Sequence, residues 1–174
     1  MPLFSEHADV SVRPATGADA AAITRVQLRA WRAGHAERLG AEALEHGDVA
    51  AVRDTWASAV TAPPSPAHRV LVACDGPHVV GFAASAPTGE GVEVLALEVD
   101  PAHQRLGHGS RLLTACVDLA RADGATSVQT WVLAGDEGRA QFLGDSGLAP
   151  DGTRRELAVE PSRSVSEQRW TAEL

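Results

Sequence analysis

Residues 103–113, HQRLGHGSRLL, follow an apolar run that ends in VDP at 99–101 and open an amphipathic run that continues to residue 122. Gly107 and Gly109 therefore lie between a predicted strand and a predicted helix. The first amides of a helix have no partner inside it and carry the positive end of its dipole. Because glycines leave room for close approach, this turn is predicted to hold a phosphate, although two glycines can also simply form a tight turn.

On both sides of this turn, hydrophobic periodicity predicts eleven secondary-structure elements, seven strands and four helices. The predicted strands cover residues 10–13, 69–74, 78–84, 92–99, 127–133, 153–159 and 165–171, and the predicted helices cover 16–33, 41–60, 110–122 and 136–146. The consecutive strands favour antiparallel pairing, whereas the strand–helix–strand unit over 92–133 requires a parallel crossover. We therefore expect a single α/β (α+β) domain over 1–174, with a mixed, mostly antiparallel sheet and helices on both faces.

Composition excludes several classes of function. The chain has no lysine and no tyrosine, so Walker A sites, Schiff-base lysines and a tyrosine general acid are impossible. A net charge of −8 without a basic stretch argues against nucleic-acid binding. No apolar run is long enough for a membrane helix and no secretory signal is evident, so we expect no membrane partner and a cytoplasmic location. Cys74 and Cys116 lie in apolar segments without metal-ligand spacing, which predicts buried thiols and no metal.

Three phosphate-binding motifs compete for the glycine turn. The dinucleotide motif G-x-G-x-x-G needs glycine where Leu112 stands, and Gln129 occupies the region where an acidic residue would be expected. The Walker A motif fails because the chain has no lysine. The form Q/R-x-x-G-x-G/A is matched by QRLGHG at 104–109 without a mismatch.

That last form resembles the signature of the GNAT acetyltransferases. VLALEVDPAHQRLGHGSRLL at 94–113 resembles their acetyl-CoA motif, DEGRAQFLGDSGL at 136–148 resembles N-x-x-x-x-x-F-Y-x-x-x-G-F, and residues 10–31 resemble their opening strand and helix. The resemblance implies the acyl-CoA N-acyltransferase fold. It also implies an N-acetyltransferase that moves acetyl from acetyl-CoA to a primary amine of a small molecule or peptide N-terminus, by direct attack in a ternary complex.

The resemblance further implies where acetyl-CoA, the co-substrate, binds. Strand 92–99 would splay from the next strand, and the amides of Leu97 and Val99 would contact the acetyl carbonyl and pantetheine arm. The amides of residues 105–110 would hold the pyrophosphate. The full implied set is Leu97, Val99, Gln104, Arg105, Leu106, Gly107, His108, Gly109, Ser110, Asp136 and Phe142.

Acyl transfer to an amine needs a proton acceptor. Glu93 is the first candidate, because its spacing from Gly107 is one that some family members use, and Glu98 is the second. A regular strand would put these carboxylates on opposite faces, unless a bulge intervenes. Possible acceptor contacts are Trp31, Arg32, His35 and Arg38.

Two departures from the family pattern leave alternatives open. Leu143 stands where many relatives have a tyrosine acid, and Asp136 replaces a usual asparagine. The first departure motivates an alternative function, a catalytically silent acyl-CoA-binding module or sensor. A longer acyl donor and a homodimer through the last strands also stay open.

Overall fold

In the computed structural model, which describes residues 10–36 and 48–174, seven strands form one sheet in the order β1-β2-β3-β4-β5-β7-β6. Neighbouring strands are antiparallel except β4 and β5, which are parallel. The predicted mixed sheet is therefore confirmed. The strands are Val10–Pro14 (β1), Arg69–Asp75 (β2), His78–Thr88 (β3), Gly91–Val99 (β4), Ser127–Leu133 (β5), Ala149–Glu160 (β6) and Arg163–Glu173 (β7).

The helices begin and end at signals visible in the sequence. They are Ala20–Gly34 (α1), Val49–Thr61 (α2), His108–Ala122 (α3) and Glu137–Asp145 (α4). The Asp48 carboxylate accepts hydrogen bonds from the first amides of α2, and the beginning of the predicted helix over 41–60 lies outside the described residues. Helix α3 begins two residues before its predicted start, directly after Gly107. No helix in the described part of the chain is long and apolar enough to cross a membrane.

Hydrophobic cores form on both faces of the sheet, as predicted. Leu112 and Cys116 of α3 and Leu143 of α4 pack on one face with Val128 of β5. On the other face, Ile23 and Val26 of α1 pack with Phe82, and Trp56 of α2 contacts that ring edge-on at 4.9 Å. Because both faces are covered, the strands between them carry long buried runs rather than strict alternation.

A bulge in β4 changes which side chains share a face. Ala96 is opposite Ala84 and Val94 is opposite Ser85, so Leu95 has no partner on β3 and is 59% exposed. The buried positions are Val94 before the bulge and Leu97 after it. The extra residue therefore reverses the alternation, and Glu93 and Glu98 lie on the same face, the one covered by α1. Opposite faces are expected only for a regular strand, and β4 contains a bulge, the exception to that expectation, in which a single unpaired residue shifts the pleat.

The predicted helix start at Thr16–Asp19 is a capping box. The Asp19 carboxylate accepts hydrogen bonds from the Thr16 amide at 2.7 Å and from both terminal nitrogens of Arg13 at 2.8 and 2.9 Å. The Arg13 hydrogen bonds are the main reason that the pKa of Asp19 falls from 3.8 to about 2. Because the folded pKa is lower, this carboxylate stabilises the fold above pH 3.8 and loses that effect as the pH falls towards 2.

We expect Asp19→Asn to lower the free energy of unfolding at pH 7 by at most about 2 kcal/mol, since solvent reaches the Arg13 partner. Urea denaturation at pH 7 and at low pH would measure this difference, which should shrink as the pH falls through the range between the two pKa values. Asp54→Asn is the matched control, because that side chain is 73% exposed. A wild-type advantage that stayed constant down to acid pH would contradict the assignment.

Candidate active site

Strands β4 and β5 separate halfway along their length. Their parallel pairing runs from Gly91 opposite Ser127 to Val94 opposite Thr130, although β4 continues to Val99 and β5 to Leu133. At the last pair the Thr130 hydroxyl donates to the Val94 carbonyl at 2.8 Å. Beyond it, β4 stays paired with β3 and β5 stays paired with β7, so a gap opens between them. The sequence predicted this splay through the family resemblance.

The glycine turn lies at the end of this gap. Gly107 is the N-cap of α3 with φ at +84°, a left-handed conformation that favours glycine. The Arg111 amide donates to the Gly107 carbonyl at 3.1 Å, which leaves the amides of residues 108–110 without acceptors in the helix. Arg105 also has a positive φ, +65°, although it is not glycine. The turn thus presents free amides beside the guanidinium of Arg105, the donors that an anion needs.

One cavity of about 540 Å³ joins the gap to the turn. Most of the predicted site residues line it: His35, Leu97, Glu98, Val99, Gln104, Arg105, Gly107, His108, Gly109, Ser110, Asp136 and Phe142. The predicted residues that do not line it are Trp31, Arg32, Glu93 and Leu106. Arg38 lies outside the described residues.

The cavity extends from the free amides of α3 to the edge of β4 that is not paired with β5. A Cβ added to Gly107 would lie 3.0 Å from Nη1 of Arg111, so this wall is already closely packed. A Cβ on Gly109 would lie 3.6 Å from the Phe142 ring, which brings α3 and α4 together at the turn. Beyond Val94 the backbone N–H and C=O groups of β4 that face the gap are not paired with β5, so they can form hydrogen bonds with amide groups of a ligand.

The two candidate carboxylates have different partners. Glu98 lines the cavity, its side chain is 13% exposed, and it pairs with Nη2 of Arg139 at 3.2 Å. Glu93 accepts a 2.6 Å hydrogen bond from Nε2 of Gln129 on β5. Glu98 is therefore paired with a cation, whereas the partner found for Glu93 is a neutral amide.

Sequence reasoning missed Arg139. This residue lies in the first turn of α4, and its Nη1 donates to the Leu97 carbonyl at 2.6 Å across the gap. Its position inside the motif at 136–148 could have indicated a role in the site. The neighbouring residues in the sequence, however, do not show that its side chain reaches across the gap to β4. Asp136 caps α4 by accepting from the Arg139 amide at 3.0 Å, and its other oxygen is 3.8 Å from Nδ1 of His35.

Three side chains near the site are buried in ways that limit their chemistry. Burial raises the pKa of Cys116 to about 11, so this thiol is not a nucleophile at neutral pH. Burial also lowers the pKa of His108, a residue that is only 2% exposed. Leu143, in the position of the usual tyrosine, is 3% exposed and belongs to the core.

The sequence of residues 41–144 matches the model of the family described as the acetyltransferase (GNAT) family. No curated protein matches the chain significantly. Among solved structures, PaiA N-acetyltransferase from Thermoplasma acidophilum in complex with coenzyme A is similar, with 15% identity, a TM-score of 0.78, and coverage of 95% of this chain and 99% of that one.

Two further structures share the fold. A putative acetyltransferase from Salmonella typhimurium with its cofactor acetyl-CoA is 20% identical, with a TM-score of 0.68 and coverage of 95% of this chain and 94% of that one. The ribosomal-protein-S18-alanine N-acetyltransferase from Escherichia coli is 15% identical, with a TM-score of 0.70 and coverage of 94% and 93%.

Proposed function

Because the chain belongs to the GNAT acetyltransferase family, we propose that it is a single-domain enzyme that transfers acetyl from acetyl-CoA to a primary amine. The acceptor would be a small molecule or a peptide N-terminus. The observation that carries this proposal is the gap between β4 and β5, which ends at the free amides of α3. The net charge of −8 slightly favours cationic acceptors.

In this proposal the turn and the β4 edge bind acetyl-CoA, which supplies an activated thioester. The amides of residues 105–110 and the Arg105 guanidinium hold the pyrophosphate. The Leu97 carbonyl faces the gap, as its bond to Arg139 shows. Because the N–H and C=O of one residue in an extended strand point to the same side, the Leu97 N–H is also aimed into the gap, where it can polarise the thioester carbonyl.

Glu93 is our candidate for the general base, acting directly or through water. An ammonium has no lone pair, so the acceptor must lose a proton before it attacks. Glu93 shares the α1 face with Glu98 but is bonded to the neutral Gln129 amide, whereas Glu98 is paired with Arg139. The high pKa of Cys116 supports direct attack by the amine over a covalent acetyl-enzyme.

A second candidate function is favoured by Leu143. A buried leucine replaces the usual tyrosine acid, which is what a silent acyl-CoA sensor would tolerate. A thiolate whose thiol has a pKa of about 8.5 can nevertheless leave without much protonation. We therefore rank the transferase first.

The test is thiol release from acetyl-CoA with a panel of amines, polyamines, aminoglycosides, amino acids and short peptides, together with calorimetric titration of CoA. We expect binding of CoA and release that depends on one class of amine. Binding without release for any acceptor would favour the sensor. Absence of CoA binding would refute both functions.

A further inference from the structure

Arg139 reaches across the gap to Leu97 and Glu98, beside the point where the proposed thioester would lie. Its Nη1 is 2.6 Å from the Leu97 carbonyl and its Nη2 is 3.2 Å from the Glu98 carboxylate. The side chain is 23% exposed, so it is partly shielded from water and held at both ends of its guanidinium. The guanidinium is thus adjacent to the residue whose N–H we assign to the acetyl carbonyl.

The proposed acetyl transfer creates a negative charge on the leaving sulfur, which a nearby cation could stabilise. When the acceptor nitrogen bonds to the acetyl carbon, the carbon–sulfur bond breaks and its electron pair remains on sulfur. The chain has no tyrosine to donate a proton to this thiolate, and the corresponding position, Leu143, is buried in the core. His108 lines the same cavity, but burial lowers its pKa and favours the neutral imidazole.

We propose that Arg139 stabilises the thiolate that leaves acetyl-CoA, as a catalytic residue that replaces the missing tyrosine by charge rather than by proton transfer. This inference rests on the proposed function. The guanidinium keeps its proton and its charge, the base takes the proton of the amine, and the thiolate is protonated by water after release. Glu98 is then a positioning residue, because its carboxylate orients Nη2 of Arg139.

The alternative is that Arg139 only closes the gap and supports α4. A structural arginine would change stability without changing the ionisation of a bound thiol. A positive charge beside the sulfur must instead favour its thiolate form and lower the thiol pKa. The ionisation of bound CoA therefore separates the two roles, and it can be measured without an acceptor.

The experiment titrates the thiol of enzyme-bound CoA by the ultraviolet absorbance of its thiolate, in the wild type, Arg139→Met and Arg139→Lys. We expect the wild-type complex to titrate about one pH unit below free CoA. Arg139→Met should return the titration at least to that of free CoA, because the Glu98 carboxylate then lacks its cationic partner and also disfavours a thiolate, and Arg139→Lys should retain part of the shift. We also expect Arg139→Met to reduce kcat for thiol release by about 100-fold.

Arg69→Met is the matched control. Arg69 is also 23% exposed and forms a 2.6 Å ion pair, with Asp123, but it does not line the cavity. It should leave the titration of bound CoA unchanged. Identical titrations in wild type and Arg139→Met would overturn the assignment of Arg139. If the titration depends on Arg139 but no amine causes thiol release, the result would favour the sensor over the transferase and would retain Arg139 as a neighbour of the sulfur.

Discussion

Gly107→Glu should abolish binding of CoA, with a loss of affinity of at least about 100-fold. Two effects combine at this residue. The φ of +84° is strained for any residue with a Cβ, and the new side chain would start 3.0 Å from Nη1 of Arg111. In addition, a carboxylate at the N-terminus of α3 would occupy and neutralise the position assigned to the pyrophosphate. Calorimetric titration with CoA measures the loss.

Gly124→Glu provides the matched control at the other end of the same helix. Gly124 has φ at +86°, close to that of Gly107, and an added Cβ would meet nothing within 4 Å. Both variants therefore suffer similar backbone strain and gain the same charge, and thermal unfolding measures how far each is destabilised. Only Gly107→Glu should lose CoA. Equal CoA affinity in the two variants would refute the assignment of the turn to the pyrophosphate.

Glu93→Gln should lower kcat at neutral pH by about 100-fold while CoA affinity stays unchanged, because general bases contribute roughly that much. The side chain keeps its size, and the hydrogen bond to Gln129 can be replaced by an amide pair. Without the base, the reaction depends on the fraction of acceptor that is already neutral. That fraction grows about tenfold per pH unit below the amine pKa. The difference in kcat between the wild type and Glu93→Gln should therefore shrink as the pH rises.

The control for Glu93→Gln is Glu156→Gln, which removes an exposed carboxylate from β6 and should leave the rate unchanged. Glu98→Gln tests the other carboxylate. It should reduce the rate through weaker positioning of Arg139, without the strong recovery at high pH that marks a lost base. If Glu98→Gln recovered with pH and Glu93→Gln did not, the roles of the two carboxylates would be exchanged.

Local signals in the sequence were sufficient for most of the fold. The capping box at Thr16–Asp19, the glycines at 107 and 124 and the turn at 75–77 all act through backbone conformations of a few consecutive residues. Such conformations depend on side chains within one or two turns, so a short window of sequence contains the information. The parallel crossover followed from the order of the elements, because the handedness and length of such connections leave few alternatives.

The bulge at Leu95 was decided by pairing with β3 rather than by β4 alone. Leu95 has the same chemistry as its apolar neighbours, and nothing in residues 91–99 marks it as the extra residue. Its unpaired position arises from the register between two strands. Since one residue reverses every later side chain, this single feature placed Glu93 and Glu98 on one face.

The sequence by itself determined the secondary-structure elements, their order and the glycine turn before α3, because each depends on local periodicity or on glycine at defined positions. Only the tertiary structure decided which side chains reach into the gap between β4 and β5. Arg139 meets Leu97 and Glu98 across about 40 residues of chain, and Leu143 turns into the core instead of towards a ligand. The reach of a side chain and the direction it faces depend on how distant elements pack, and that information is not contained in any short segment.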